Sequence, residues 1–302
     1  FFSRRTSDML FNLPISSTTG FDSEPVNFGK MVNTGFEFNL SSNVYNDRNI
    51  NVNVGVNGTT YTNKITELPE QFREDGISKG FRILKEQGGI FDYYMVKSAG
   101  VNPENGDQMY WCWNKDDKKF EKVASKDYSS SLKDRQFVGS ALPKIAGGFY
   151  ANAAAYGFDF SIQFSYRVGG KVYDGSYRQL MSAGSLGSNW HKDILNHWTP
   201  ENTNTDIPRL HTENQSLNQA SDRFLIDGSY LSLNNLTFGY SLPKSVLSKA
   251  KIQGLRLYFA ADNLGLWSKR KGLDPRIALN GAQDYSVNSA VRALSFGINL
   301  NL

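Results

Sequence analysis

In the stretch NINVNVGVNG, residues 49–58, Ile50, Val52, Val54 and Val56 hold one parity while Asn49, Asn51, Asn53 and Asn57 hold the other. Successive side chains of an extended strand point to opposite faces, so the segment makes a strand with one aliphatic and one amide face. Two architectures accept such a strand. A soluble sandwich turns the valines into a core, whereas a membrane barrel turns them to lipid and leaves the asparagines in a wet lumen.

The pattern recurs along the chain. Phe36, Phe38, Leu40 and Val44 oppose Glu37, Asn39, Ser41 and Asn43; Phe158, Phe160, Ile162, Phe164, Tyr166 and Val168 oppose Asp159, Ser161, Gln163, Ser165 and Arg167; Leu294, Phe296, Ile298, Leu300 and Leu302 oppose Ser295, Gly297, Asn299 and Asn301. These runs approach the roughly 9 to 11 residues that a tilted strand needs to cross a bilayer. In SYLSLNNLTFGYSL the phase changes between Leu233 and Leu236, which predicts a bulge near Asn234 and Asn235.

Strands are expected near 1–11, 33–45, 49–60, 80–86, 89–98, 146–155, 158–168, 228–241, 253–267 and 290–302. The connections between them alternate short and long, as in an antiparallel barrel with short turns at one rim and long loops at the other.

Composition narrows the choice further. Aromatic residues make up 13% of the chain and glycine occurs 27 times, a mixture suited to strands and turns. The formal net charge of +4 is mild, its basic residues are spread along the chain, and no nucleic-acid partner is expected. Cys112, in YWCWN, is the single cysteine, which excludes an internal disulfide and reads as a buried or loop thiol. No run approaches the roughly 18 apolar residues of a membrane helix. The opening FFSRRTSDML has neither an initiator Met nor a signal-peptide pattern, so the chain is expected to be a piece of something longer.

Several stretches, in order over nearly the whole chain, resemble the SusC-type (SusC/RagA) TonB-dependent outer-membrane transporters. They are SDMLFNLPISSTTGF, NFGKMVNTGFEFNL, TNKITELP, AGVNPENGD, VGSALPKIAGGF and the long block DGSYLSLNNLTFGYSLPKSVLSKAKIQGLRLYFAADNLGLWSKRKGLDP. The resemblance implies an all-β antiparallel transmembrane β-barrel of the plugged class with about 22 strands. Residues 1–302 would form its C-terminal part of about ten strands, with the plug and N-terminal domains outside this chain. Leu302 stands where such barrels usually end in an aromatic.

By the same resemblance the whole protein imports a large nutrient, an oligosaccharide (glycan) or an oligopeptide. Its partners would be a SusD-like surface lipoprotein, the TonB complex reached through the missing N-terminal region, the plug domain, and outer-membrane lipid with lipopolysaccharide. No enzymatic step, cofactor or metal is expected. The alternatives are a barrel serving mainly as an adhesin or structural anchor, and a soluble glycan-binding β-sandwich.

Candidate site residues follow from this frame. Trp111, Trp113, Trp190 and Trp198 fall in long loops, where flat indole faces either stack on substrate or pack the loops together. Glu37, Asn51, Asn53, Asp159, Arg167, Arg256, Asp262 and Arg292 are expected to face the lumen and plug, and Tyr240 and Trp267 to form interfacial girdles. SKRKG, residues 268–272, offers cations to lipopolysaccharide phosphates. His191, His197 and His211 have no metal-site spacing, and NPENGD, residues 102–107, reads as an Asn- and Gly-stabilised turn.

Overall fold

The computed structural model describes residues 1–182, 187, 189–211, 215–248, 252–276, 282–283 and 290–301. Eight strands form one antiparallel sheet in which neighbours in sequence are also hydrogen-bonded neighbours. These are β1 (Phe2–Thr6), β2 (Lys30–Asn46), β3 (Ile50–Glu67), β4 (Ile145–Ala155), β5 (Phe158–Val168), β6 (Tyr230–Ser241), β7 (Gly254–Ser268) and β8 (Ala293–Asn301). No helix among the described residues is long and apolar enough to cross a membrane.

Three short connections close one end of the sheet. Between β4 and β5 only Tyr156 and Gly157 remain, at φ of 51° and 90°. Two successive positive φ values make the turn whose twist matches the strands it joins. The other end carries the long segments 7–29, 68–144, 169–229 and 269–292.

Two of the expected strands leave the wall. Residues 80–86 and 89–98 fall in a separate six-stranded sheet, built from Ile77–Lys79, Arg82–Leu84, Asp92–Val101, Gln108–Asn114, Lys119–Ala124 and Arg135–Ser140. There Tyr93 and Met95 are buried with Ala141, Tyr173 and Phe224, so their alternation reports a core inside the long loops. Because both strands drop out together, the short and long connections still alternate, and Gln87–Gly88 becomes a turn within a loop. The first wall strand also ends early, at Thr6, and Leu10–Pro14 pairs with Ser23–Asn27 instead. Leu302 lies outside the described residues.

Register lines the apolar residues up across strands. One row runs Ile50, Ala155, Phe158, Tyr240, Leu257 and Ile298; the next runs Val52, Ala153, Phe160, Phe238, Phe259 and Phe296; a third runs Val54, Ala151, Ile162, Leu236, Ala261 and Leu294. Phe238, Leu257, Phe296 and Ile298 are all exposed. A contiguous apolar band of this extent exceeds what a soluble monomer leaves in water. The bulge expected near Asn234 is present, since Leu233 and Asn235 keep opposite faces while Asn234 is skipped in the pairing with β5 and β7. A second bulge at Val44 takes that residue out of phase and puts Tyr45 opposite Val52.

Glycines let aromatic rings lie flat across neighbouring strands. A Cβ on Gly58 would meet the Phe38 ring at 2.6 Å and the Tyr166 hydroxyl at 2.9 Å. Such aromatic cover restores the packing that a glycine in a strand lacks.

Candidate functional site

The face opposite the apolar rows carries the amides and charges of the wall, with a few smaller apolar residues such as Ala154 and Ala260 between them. Asn53 Nδ2 donates to Asn43 Oδ1 at 2.9 Å, Asn51 Nδ2 to Asn46 Oδ1 at 3.0 Å, and Asn235 Nδ2 to Asp262 Oδ1 at 2.7 Å. Each amide finds a partner directly across the ladder because cross-strand pairs sit within side-chain reach. Glu37, opposite Thr59, is exposed on the same face.

Asp159 on β5 and Arg256 on β7 join over the intervening β6, through Arg256 Nε to Asp159 Oδ1 at 2.9 Å and Nη2 to Oδ2 at 2.5 Å. The bridge passes directly over Gly239, where a Cβ would lie 2.5 Å from Asp159 Oδ1 and 2.6 Å from Arg256 Nη2. Any larger residue at position 239 closes this path.

Arg167 and Arg292 have other occupations than open lumen. Arg167 is buried at the long-loop end of β5, donating to the Ala141 carbonyl and to the Gly169 carbonyl, and so ties loop backbone to the wall. Arg292 precedes β8, outside the regular pairing, and shares parity with Leu294 on the apolar face. Strand parity therefore assigns it no lumenal side, and its Nη2 donates to the Leu264 carbonyl at 2.8 Å.

Tyr240 and Trp267 both lie on the apolar face, near opposite ends. Tyr240 pairs with Leu257, and Trp267 stands ten residues further along β7. Because the β7 bulge adds residues, the separation is read on the regular β5, where the two rows meet Phe158 and Tyr166; eight residues make about 26 Å along a strand, or about 20 Å in height once the strand tilts as in a barrel, close to the height of an apolar band between aromatic girdles.

The long loops share a core and are pinned to the polar face. Arg276 Nη1 donates to Ser232 Oγ at 2.8 Å and to Asn263 Oδ1 at 3.2 Å, while Arg276 also grips Asp274 at 2.6 Å. Ser232 is fully buried by this contact, and Asn263 holds a positive φ of 52° opposite the Asn234 bulge. The paired bulges thus form a notch that receives the last loop. A second latch joins Arg209 Nε to buried Asp107 at 2.8 Å. In a third, Arg270 sits 3.1 Å from Asp174 and 3.8 Å above the Tyr177 ring. Arg270 therefore points into the loop assembly, and of SKRKG the exposed cations are Lys269 and Lys271. None of these latches was expected from sequence, because their partners lie up to 102 residues apart. The one local signal was the Asp-Pro-Arg turn at 274–276, in which Asp274 also accepts the Arg276 N–H.

The four loop tryptophans divide by environment. Trp198 is structural: its Nε1 donates to the Pro103 carbonyl at 3.0 Å, and its ring covers Gly106, where a Cβ would meet it at 2.5 Å. It thereby docks the NPENGD turn, which is closed by Gly106 N–H to the Asn102 carbonyl and Asp107 N–H to Asn105 Oδ1. Trp113 and Trp190 are exposed, and Trp111 lies 5.4 Å beneath the Lys122 ammonium. His191 caps the short turn Lys192–Asn196 by accepting the Asp193 N–H, and His197 Nδ1 contacts the Ile194 carbonyl at 2.8 Å. No group of three or more metal-ligating side chains occurs among the described residues.

Burial pushes the Cys112 thiol up to about 11, with the Asp134 carboxylate adding to the shift. Alkylation at neutral pH requires the thiolate. Cys112 is therefore expected to react with iodoacetamide about a hundredfold more slowly than an ordinary thiol. A rate near that of free cysteine at pH 8 would place Cys112 in open solvent.

No family model matches the chain. It is 29% identical over 324 residues to TonB-dependent receptor P3 of Formosa agariphila, covering 99% of this chain and 32% of that protein. It is 23% identical to TonB-dependent receptor SusC of Bacteroides thetaiotaomicron, covering 99% of this chain and 29% of that protein. The chain thus spans about a third of the length of these relatives. Among solved structures, it matches one described as the RagAB peptide importer in the closed-closed state with a TM-score of 0.83, at 29% identity, covering 99% of this chain and 32% of that one. The open-open state matches with a TM-score of 0.80 at 30% identity. With an amphipathic meander whose strand pairing follows chain order, the chain is similar over nearly its whole length to the SusC/RagA-type TonB-dependent receptors, and its fold matches a stretch of their transmembrane β-barrel wall.

Proposed function

We propose that residues 1–302 form the C-terminal part of the barrel of an outer-membrane importer. It would take up an oligosaccharide or oligopeptide too large for a porin, capture it together with a SusD-like surface lipoprotein, and draw energy from TonB through a region outside this chain. The observation that carries this reading is the division of the sheet into an exposed apolar band and a hydrogen-bonded polar face, with the long loops folded onto the polar face at one end. The apolar band supports lipid contact, and the polar face supports a wet lumen closed by a plug. The relatives' names as TonB-dependent receptors support the coupling, and the peptide importers among the structural matches support a peptide as cargo.

The test is growth of a strain deleted for the receptor on a panel of glycans and peptides as sole nutrient, with pull-down of a surface lipoprotein by the tagged full-length receptor. Loss of growth on one cargo class, restored by the gene, is expected. Within that assay, Trp113→Ala and Trp190→Ala should weaken cargo binding by about 1 to 2 kcal/mol each, the usual loss for an exposed aromatic anchor. Trp198→Ala should act instead by loosening the loops. Unchanged affinity in both exposed variants would remove the tryptophans from the cargo path.

A further inference from the structure

The hairpin of Gln108–Asn114 and Lys119–Ala124 stands at the edge of the loop sheet. Lys119–Ala124 pairs with Gln108–Asn114 on one side and, among the described residues, with no strand on the other. The register sets Trp113 opposite Phe120, and Trp111 between Lys122 and Lys97. One face of this hairpin therefore carries Trp111, Trp113, Phe120 and Lys122, with Lys97 beside it on the neighbouring strand Asp92–Val101.

That face is open, and Asp222, the carboxylate near Lys97, is turned to the Ser98 N–H, which its Oδ1 accepts at 2.7 Å. Trp113 is 37% exposed, and its ring meets Phe120 edge-on at 5.1 Å. Lys97 and Lys122 are exposed. Glu121 points to the opposite face, where Asn114 and Lys119 hold it at 2.9 and 3.1 Å. Nearby Asp134 is buried, and its Oδ1 accepts the Trp113 N–H at 2.8 Å. The opposite face is occupied as well, since the Tyr110 hydroxyl accepts the Gln219 N–H there.

We propose that this edge receives an extended acidic peptide as an added strand. An apolar side chain of the peptide would lie beside Phe120 and an acidic one, two residues along, beside Lys122. An added strand draws affinity from main-chain hydrogen bonds, which tolerate many sequences, and selectivity from alternate side chains. Two positions on one face of the new strand must be two residues apart, so Phe120 and Lys122 together define an apolar-any-acidic pattern. Lysines on an edge ordinarily discourage pairing with neutral or basic strands. An acidic strand reverses that effect through charge complementarity. The inference rests on the import reading, in which this peptide is the cargo at capture.

The experiment uses the purified full-length receptor and a fluorescein-labelled hexapeptide, Glu-Thr-Phe-Thr-Glu-Thr, which sets Phe and Glu two residues apart on one face, followed by anisotropy. Binding is expected, and Lys122→Glu should weaken it by about tenfold, with recovery when the peptide glutamates are changed to lysine. A second measurement needs no variant: the same peptide N-methylated at alternate amides, in the two possible phases, should lose binding in one phase and retain it in the other. Equal binding of both methylated forms and the parent would overturn the added strand. So would tight binding of an acidic oligosaccharide that competes with the peptide, which would make the surface a sugar platform. Growth assays separate the two readings: a receptor that binds the peptide at this edge yet supports no uptake leaves the site standing and removes the importer.

Discussion

Arginine in place of Val54 is expected to destabilise the barrel by about 2 to 4 kcal/mol, the cost of a cation on the lipid face near the bilayer midplane. Val54 lies in the third apolar row, between Ala151 on one side and Ser42 on the other, with Ile50 and Gly58 four residues away towards either end. Arginine at the adjacent Asn53 should cost only about 1 kcal/mol, the net worth of the Asn53 to Asn43 hydrogen bond that it breaks. The comparison is made on the full-length receptor refolded into lipid vesicles and unfolded with guanidinium. Greater damage at position 53 than at position 54 would turn the faces round and return the valines to a water-shielded protein core.

Removal of the Arg276 side chain is the second large effect. Asp274 is 2% exposed and Arg276 is its ion-pair partner, so Arg276→Ala strands a carboxylate in the loop interior. Breaking a buried pair costs about 3 to 5 kcal/mol. Because Arg276 itself is partly exposed, with 19% of its side chain accessible, the lower value of about 3 kcal/mol is expected. The loss should be local. Amide exchange should accelerate around 269–276 and 230–233, where Arg276 joins the loop to Ser232, while the β3 to β5 region keeps its protection.

Acid should act in the same direction. Burial raises the Asp274 carboxyl, but the Arg276 hydrogen bonds and charge outweigh it and hold the group below its ordinary value. A depressed carboxyl contributes stability above the unfolded-state pKa and loses it as pH falls through the folded one. Loop protection should therefore be full at neutral pH and decline below about pH 4. Unchanged exchange in Arg276→Ala would mean that the last loop is held by its apolar contacts alone.

Much of the wall was legible because its chemistry is local. The parity of Phe158 to Val168 and of Leu255 to Ala261 decides which side chains share a face without knowledge of their partners. The phase change in SYLSLNNLTFGYSL located the Asn234 bulge, since inserting one residue shifts every following side chain to the other face. Tyr156-Gly157 announced a two-residue turn. The loop strands were harder. Tyr93 and Met95 alternate with their neighbours as wall residues do, and only their burial against Tyr173 and Phe224 assigns them to a loop core.

The candidate site divides along the same line. Asn51, Asn53, Asp159, Arg256 and Asp262 have their face set by strand parity alone. Arg167 and Arg270 were legible only as charges: their carbonyl, carboxylate and ring partners come from other segments and redirect them to loop anchoring. Trp198 and Trp113 look alike in sequence, yet one is spent on Pro103 and Gly106 and the other stays open to solvent.

Sequence alone thus determined that the chain makes long antiparallel strands with one apolar and one polar face, joined by short turns at one end and long loops at the other. These properties depend on a period of two and on turn chemistry within a few residues. The tertiary structure decided that eight strands form the wall, that the ion pair of Asp159 and Arg256 crosses over Gly239, and that Arg276 seats the last loop in the bulge notch. Each of these depends on contacts between residues distant in the chain, for which a local pattern carries no signal.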